Sequence, residues 1–312
     1  MDVKEPQEMV VLKSRSYARC VREGLAVPFI HYGTILKLAW PFLLLTTVAY
    51  ALLVSNSLEF VLVSLSGGVL QATAKALFFL LSFILFRITL EVIYWWHLRK
   101  WVELGYLPSV HSWQVWRGLF AMGRRVAVYI LSQFLVFLPL GVLVAGYVYL
   151  LVSYRMDALP ATIWVWIGLV VLGSLLLLFS LYLRVQAYHV AMAYLLGEER
   201  LWKAIRTLRW SRRYTGRSLA VIFLTGLAAC VVLFPFVLPS LLCSYVDSLA
   251  FISLLEGDAV DLPTYYYWFG LAAHGVASFG LSFADLLTLY PFCLNWGALR
   301  CVEEARGKKL PN

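Results

Sequence analysis

Six long apolar stretches, separated by short polar ones whose charge alternates, leave this chain little choice of fold. They run over about 34–54, 70–94, 126–152, 162–188, 218–246 and 265–294. Crossing roughly 30 Å of hydrocarbon as a helix takes about 20 apolar residues. Lipid offers no partner to a backbone N–H or C=O, so each stretch is expected to be helical. Several exceed the minimum, which predicts tilt or extension past the bilayer. Pro41, Pro139, Pro235, Pro239 and Pro291 fall within them, where neighbouring helices tolerate a kink. Composition agrees: of 312 residues 62% are hydrophobic and 14% charged, against roughly 45–50% and about 25% in soluble domains. A soluble core could not hide so much apolar surface. That excludes a cytosolic enzyme, a secreted disulfide module, a disordered chain and a nucleic-acid binder.

The charges supply an orientation. Lys and Arg gather before the first span (Lys4, Lys13, Arg15, Arg19, Arg22), after the second (Arg99, Lys100, Arg117, Arg124, Arg125), after the fourth (Arg200, Lys203, Arg206, Arg209, Arg212, Arg213, Arg217) and in the tail (Arg300, Arg306, Lys308, Lys309). The loops after spans one and five carry none, and the third carries Arg155 alone. The positive-inside rule then predicts six spans of the plasma (inner) membrane with both termini cytoplasmic. Tyr94, Trp95 and Trp96 close span two on the inside, while Trp164, Trp166 and Tyr265 to Trp268 open spans four and six outside, as interfacial aromatics do. The net charge of +9 therefore faces the anionic inner leaflet, where each cation contributes about 1 kcal/mol. Anionic lipid is the expected partner, and no nucleic acid is needed to explain the charge. The five cysteines are odd in number and lack a C-x-x-C, so neither a disulfide framework nor a zinc site is expected. No short apolar run with a small-residue cleavage site opens the chain, so no cleaved signal peptide is expected.

A similar element precedes each pair of spans: Ser16–Arg22, Ser112–Gly118 and Arg200–Arg206. Apolar residues (Trp113, Trp116, Phe120; Leu201, Ile205, Leu208) and cations (Arg15, Arg19, Arg22; Lys203, Arg206, Arg209) fall on separate stripes, the pattern of a basic amphipathic helix lying in the inner interface. With Arg117, Arg124 and Arg125 these cations form the expected lipid-surface set. The expected architecture is all-α: one membrane domain over 1–312, built as three units of interfacial helix plus transmembrane hairpin (about 14–96, 110–196 and 198–300) with a short cytoplasmic tail at 301–312. The alternative is that any polytopic protein carries basic, aromatic inner loops without duplication. Through Leu201-Trp-Lys-Ala-Ile-Arg-Thr-Leu208 up to Ser218, and the basic end Leu299-Arg300, the chain resembles the six-helix membrane domains found ahead of some bacterial glycerophosphodiester phosphodiesterases, and their stand-alone relatives. The resemblance covers most of the chain but holds no diagnostic motif. The phosphodiesterase barrel is absent from the sequence, so no catalytic residue is implied.

Ionisable groups inside spans are costly and point to function. Span two holds Lys75, Arg87 and Glu91, span four Arg184, and span six Asp285. Arg87 and Glu91 stand four apart and share a helix face. Arg87, Arg184 and Asp285 fall at similar depth, which allows an Arg–Asp pair between helices, with snorkelling to inner headgroups as the other reading of the arginines. In span six, Gly270, Ala273, Ala277, Gly280 and Ala284 make a small-residue stripe for close packing. Beside it His274, Ser278, Ser282 and Asp285 make a polar stripe: a proton or solute path, or interhelical hydrogen bonds at roughly 0.6 kcal/mol each.

Catalytic and nucleotide signatures are missing: no H-E-x-x-H, G-x-S-x-G, Walker A or G-x-G-x-x-G. His31, His97, His111 and His189 lack metal-ligand spacing and are expected to be interfacial. Glu256, Asp258 and Asp261 make an acidic outer loop, read as solvated rather than as a calcium site. No metal and no cofactor are expected. The first functional expectation is a non-enzymatic auxiliary or scaffold subunit of a larger membrane complex, with other membrane subunits as partners. The alternative is a transporter or channel for a small solute or lipid.

Overall fold

The structure is a computed structural model that describes residues 13–56, 69–104, 113–153, 159–197, 200–206, 208–255, 257 and 262–306. Within these all regular structure is helical: α1 (Tyr17–Ile30), α2 (Tyr32–Ser55), α3 (Val69–Leu104), α4 (Trp113–Ser153), α5 (Leu159–Ala191), α6 (Leu201–Arg206), α7 (Leu208–Ser211), α8 (Thr215–Leu255) and α9 (Thr264–Ala305). Helices α2, α3, α5, α8 and α9 each contain a stretch long and apolar enough to cross a bilayer. Helix α4 makes a sixth when its two arms, Arg117–Leu135 and Phe137–Val144, inclined at 44°, count as one span. The bend has a local cause. Pro139 cannot donate to the Leu135 carbonyl and its ring crowds that group, so the helix opens there.

Contacts between the six long helices run in a closed circuit, α2–α3–α4–α5–α8–α9 and back to α2. At 36 residues, α3 is about 54 Å long and outruns the hydrocarbon. The surplus lies at the arginine-rich end, and there the core forms. Leu90 to Trp101 of α3, Leu119 to Val126 of α4, Val190 to Leu195 at the end of α5 and in the π-helical turn that follows it, and Leu286 to Leu299 of α9 supply most of its buried side chains. Trp101 packs edge-on to Tyr290 at 5.5 Å between ring centres, and Tyr188 lies 4.7 Å from Phe292. At the other end, α4 from Leu131 to Val144 and α5 from Ile167 to Phe179 present large apolar side chains to the outside.

The element before the first pair of spans is a separate helix. Ser16 caps α1, its hydroxyl accepting the Arg19 backbone N–H. The buried face of α1, Cys20, Val21, Gly24 and Val27, packs on α9 and α8. A Cβ on Gly24 would stand 2.3 Å from the Pro291 Cα, so glycine is what permits this approach. The amphipathic face that suggested a headgroup-lying helix is thus turned onto protein, while Arg19 and Arg22 stay exposed. The counterpart before span three is the start of α4 itself, continuous with the span. Before span five it is broken into α6, α7 and a 3-10 turn at Arg212–Tyr214.

Candidate functional site

A cavity of about 580 Å³ opens between α3, α4, α5 and α9, just above the buried core. Positions 83, 84, 87, 88, 91, 94 and 95 of α3 line it, a stripe with the spacing of one helix face. Helix α4 adds Tyr129, Gln133 and Phe137 at intervals of one turn; α5 adds Arg184 and Tyr188; α9 adds Asp285 and Thr288. The sequence places Arg87 and Asp285 nearly two hundred residues apart. The fold brings them into a direct ion pair, with Arg87 Nη2 donating to Asp285 Oδ2. The same guanidinium donates to Glu91 Oε1 at 3.0 Å. One arginine therefore satisfies two carboxylates, from its own helix and from α9.

These groups are only partly shielded: the side chains of Arg87, Glu91 and Asp285 keep 25%, 29% and 36% of their accessible surface. Arg184 is exposed and lines the same cavity. Tyr129 orders the wall between α4 and α5: its hydroxyl donates to the Ala187 carbonyl at 3.5 Å and its ring meets Trp95 at 6.4 Å. A cavity with charged groups and an apolar lining can bind a small or amphiphilic molecule and orient it.

The rest of the span-six polar stripe does not reach this cavity. His274 is buried against α8, its Nδ1 2.6 Å from Ser240 Oγ. It lies about 16 Å from Asp285 along the helix axis. Ser278 and Ser282 are buried and line none of the cavity. On the small-residue stripe, Ala273 and Ala277 are buried, and a Cβ on Gly280 would come within 2.7 Å of Phe236 Cβ, so α8 approaches closely there. Gly270 is buried, though a Cβ there would meet nothing within 4 Å, and Ala284 is half-buried.

The cations expected at the lipid surface divide. Arg19, Arg22, Arg117, Arg124, Lys203, Arg206 and Arg209 are exposed. Arg15 turns inward, its side chain 7% exposed and its Nε 2.8 Å from Glu23. The hydrogen bond from Arg19, joined by that from Arg15, holds the Glu23 carboxyl below the usual carboxylate range. Arg125 donates to the carbonyls of Tyr194 (3.3 Å) and Gly197 (2.7 Å), capping the end of the π-helical turn Met192–Leu196. Such orphan carbonyls and the negative end of the helix dipole favour a cation.

His97 and His189, expected at the interface, are fully buried, packed edge-on to Trp96 and Phe292 within the helical core. His189 belongs to a second polar cluster that the sequence did not disclose. Its Nε2 lies 2.9 Å from Ser218 Oγ, which accepts from Asn295 Nδ2 at 3.2 Å. Arg217 Nε donates to Asn295 Oδ1 at 3.0 Å and its Nη2 to the Arg15 carbonyl at 2.6 Å. This cluster ties α1, α5, α8 and α9 together at the arginine-rich end. Position 111 and the acidic loop positions 256, 258 and 261 lie outside the described residues. Among the described residues no group of His, Cys, Asp and Glu is placed to hold a metal ion. Comparison of the chain with protein-family models, with curated proteins and with solved structures finds no match.

Proposed function

We propose that the chain is a multi-pass protein of the plasma (inner) membrane, with the arginine-rich end and both termini cytoplasmic, that binds a small solute or lipid in the charged cavity and handles it within the bilayer. The single observation behind this reading is the joining of Arg87, Glu91, Asp285 and Arg184 around one opening between helices long and apolar enough to cross a membrane. Charged side chains there are expensive and are kept where they meet each other, water or a substrate. The orientation rests on the one-sided distribution of Lys and Arg, and the three-unit organisation on the amphipathic elements before each pair of spans. The kinship with membrane domains of phosphodiesterases rests on sequence pattern alone.

The test is what the cavity carries. The full chain, purified from its membranes in mild detergent and then denatured, should release a molecule in near-stoichiometric amount, identified by mass spectrometry. Ala187→Trp, which fills the cavity, should abolish its retention while leaving the protein monodisperse. Equal retention by both proteins, or none by either, contradicts the reading.

The role of auxiliary subunit is the second reading, and one observation favours it. The part of α5 from Val170 to Phe179 is exposed on nearly every face, which leaves room for a partner helix as well as for lipid. Stable co-purification of a second membrane protein that is lost on substituting Leu175 or Phe179 supports that role.

A further inference from the structure

We propose that the cavity's ligand is an amphiphile with an anionic headgroup, held by Arg184 and reached sideways from the bilayer along α5. This deepens the cavity reading above and rests on it. The charges facing the cavity are unequally engaged. Arg87 is taken up by Glu91 at 3.0 Å and by Asp285, and those two carboxylates are thereby engaged as well. Arg184 meets the Tyr188 hydroxyl, a neutral partner, and among the described residues it forms no ion pair, unlike Arg87. Its side chain is exposed while lining the same cavity. Arg184 belongs to the apolar stretch Val170–Leu196 that is long enough to cross a membrane, where an exposed guanidinium is costly unless an anion or water meets it, and a charge-assisted bond to a headgroup oxygen answers that cost.

Two further observations favour an amphiphile over a free anion. The cavity that Arg184 lines is walled in part by apolar and aromatic side chains, Ile130 and Phe137 of α4 and Phe83 and Ile84 of α3, a surface suited to an acyl chain. The approach to Arg184 along α5, from Val170 to Phe179, is exposed on the outer surface of the bundle. A lipid already dissolved in the bilayer diffuses along that surface, whereas a hydrated anion would first have to leave water.

The full chain, delipidated in detergent, is offered an equal mixture of dioleoyl phosphatidylglycerol and dioleoyl phosphatidylcholine, and bound lipid is counted by native mass spectrometry. Inorganic phosphate alone is titrated in parallel against the thermal unfolding midpoint. The wild-type chain should retain phosphatidylglycerol in preference, and Arg184→Gln should weaken that retention about tenfold, the loss of one charge-assisted bond. Arg184→Lys should restore part of it, and Phe223→Ala, on the exposed face of α8 and outside the cavity, should leave it unchanged. All three variants should match the wild type in unfolding midpoint without lipid. Undiminished retention by Arg184→Gln overturns the proposal, and so does protection by phosphate equal to that by phosphatidylglycerol. A wild-type chain that instead carries a neutral or cationic molecule, displaced by Ala187→Trp, overturns the proposal and leaves the cavity reading standing. Displacement of nothing by Ala187→Trp removes both.

Discussion

Helices α9 and α5 are both long enough to cross a membrane, yet 61% of the most apolar stretch of α9 is buried against 11% of that of α5. The buried helix is the less apolar of the two. In water the order would be reversed. Here the solvent is hydrocarbon, so the surface must be apolar, while the interior can hold Gly, Ser, His, Asn and Asp once their polar atoms find partners. Helix α9 contacts α1, α2 and α8 and carries Asp285 to Arg87 and Asn295 to Arg217. Helix α5 offers leucines to the outside and reserves Arg184, Gln186 and His189 for its last turns.

The widest gap expected from this contrast is between equal truncations on the two helices. Leu294→Ala, at a buried position of α9, should lower unfolding stability by about 3 kcal/mol. Leu177→Ala, at an exposed position of α5, should change it by less than about 0.5 kcal/mol, both followed by thermal unfolding in detergent. Charge should act in the opposite sense. Leu178→Asp on α5 should make membrane insertion about 2.5–3.5 kcal/mol less favourable, read from the fraction integrated into microsomes. Gly280→Leu sharpens the contrast further: its Cβ meets Phe236 Cβ at 2.7 Å, and overpacking should cost about 2 kcal/mol, whereas Gly168→Leu on α5, with nothing within 4 Å, should be near neutral. The smallest effect belongs to α1. The Glu23 carboxyl is held below its usual range by Arg19 and Arg15. Its contribution is present above the ordinary carboxylate pKa and fades as pH falls through the lowered folded value. Because Glu23 is about a third exposed, the loss should stay under about 1 kcal/mol, seen as faster hydrogen exchange in α1 at acid pH and absent from Glu23→Gln.

Much of the architecture was legible in the sequence, because a run of about 20 apolar residues has few fates. The span read over 34–54 is α2 at Tyr32–Ser55; the excess length of α3, α4 and α9 emerges at the arginine-rich end, whereas α8 runs on to Leu255 at the opposite end. The Arg87–Asp285 pair could be anticipated from depth and chemistry together. Other parts were hidden for physical reasons. A basic amphipathic helix has one pattern whether its apolar face meets lipid or protein, so the docking of α1 on α9 depends on Gly24 meeting Pro291, a contact between distant positions. Arg15 and Arg125 have the same composition signal as exposed arginines, and only the three-dimensional course of the chain turns them inward. Tyr129, Gln133 and Tyr188 looked like ordinary span residues. Their one signal was spacing: Tyr129 and Gln133, like Arg184 and Tyr188, stand one turn apart and place polar atoms on a single face.

The contrast between the two helices is most directly tested by a benzophenone photocrosslinker placed at Phe179 of α5 and, separately, at Tyr290 of α9, in the full chain in native membranes. Irradiation should give phospholipid adducts from position 179 and crosslinks only within the chain from position 290. Lipid adducts from position 290, or crosslinks only within the chain from position 179, would contradict the account.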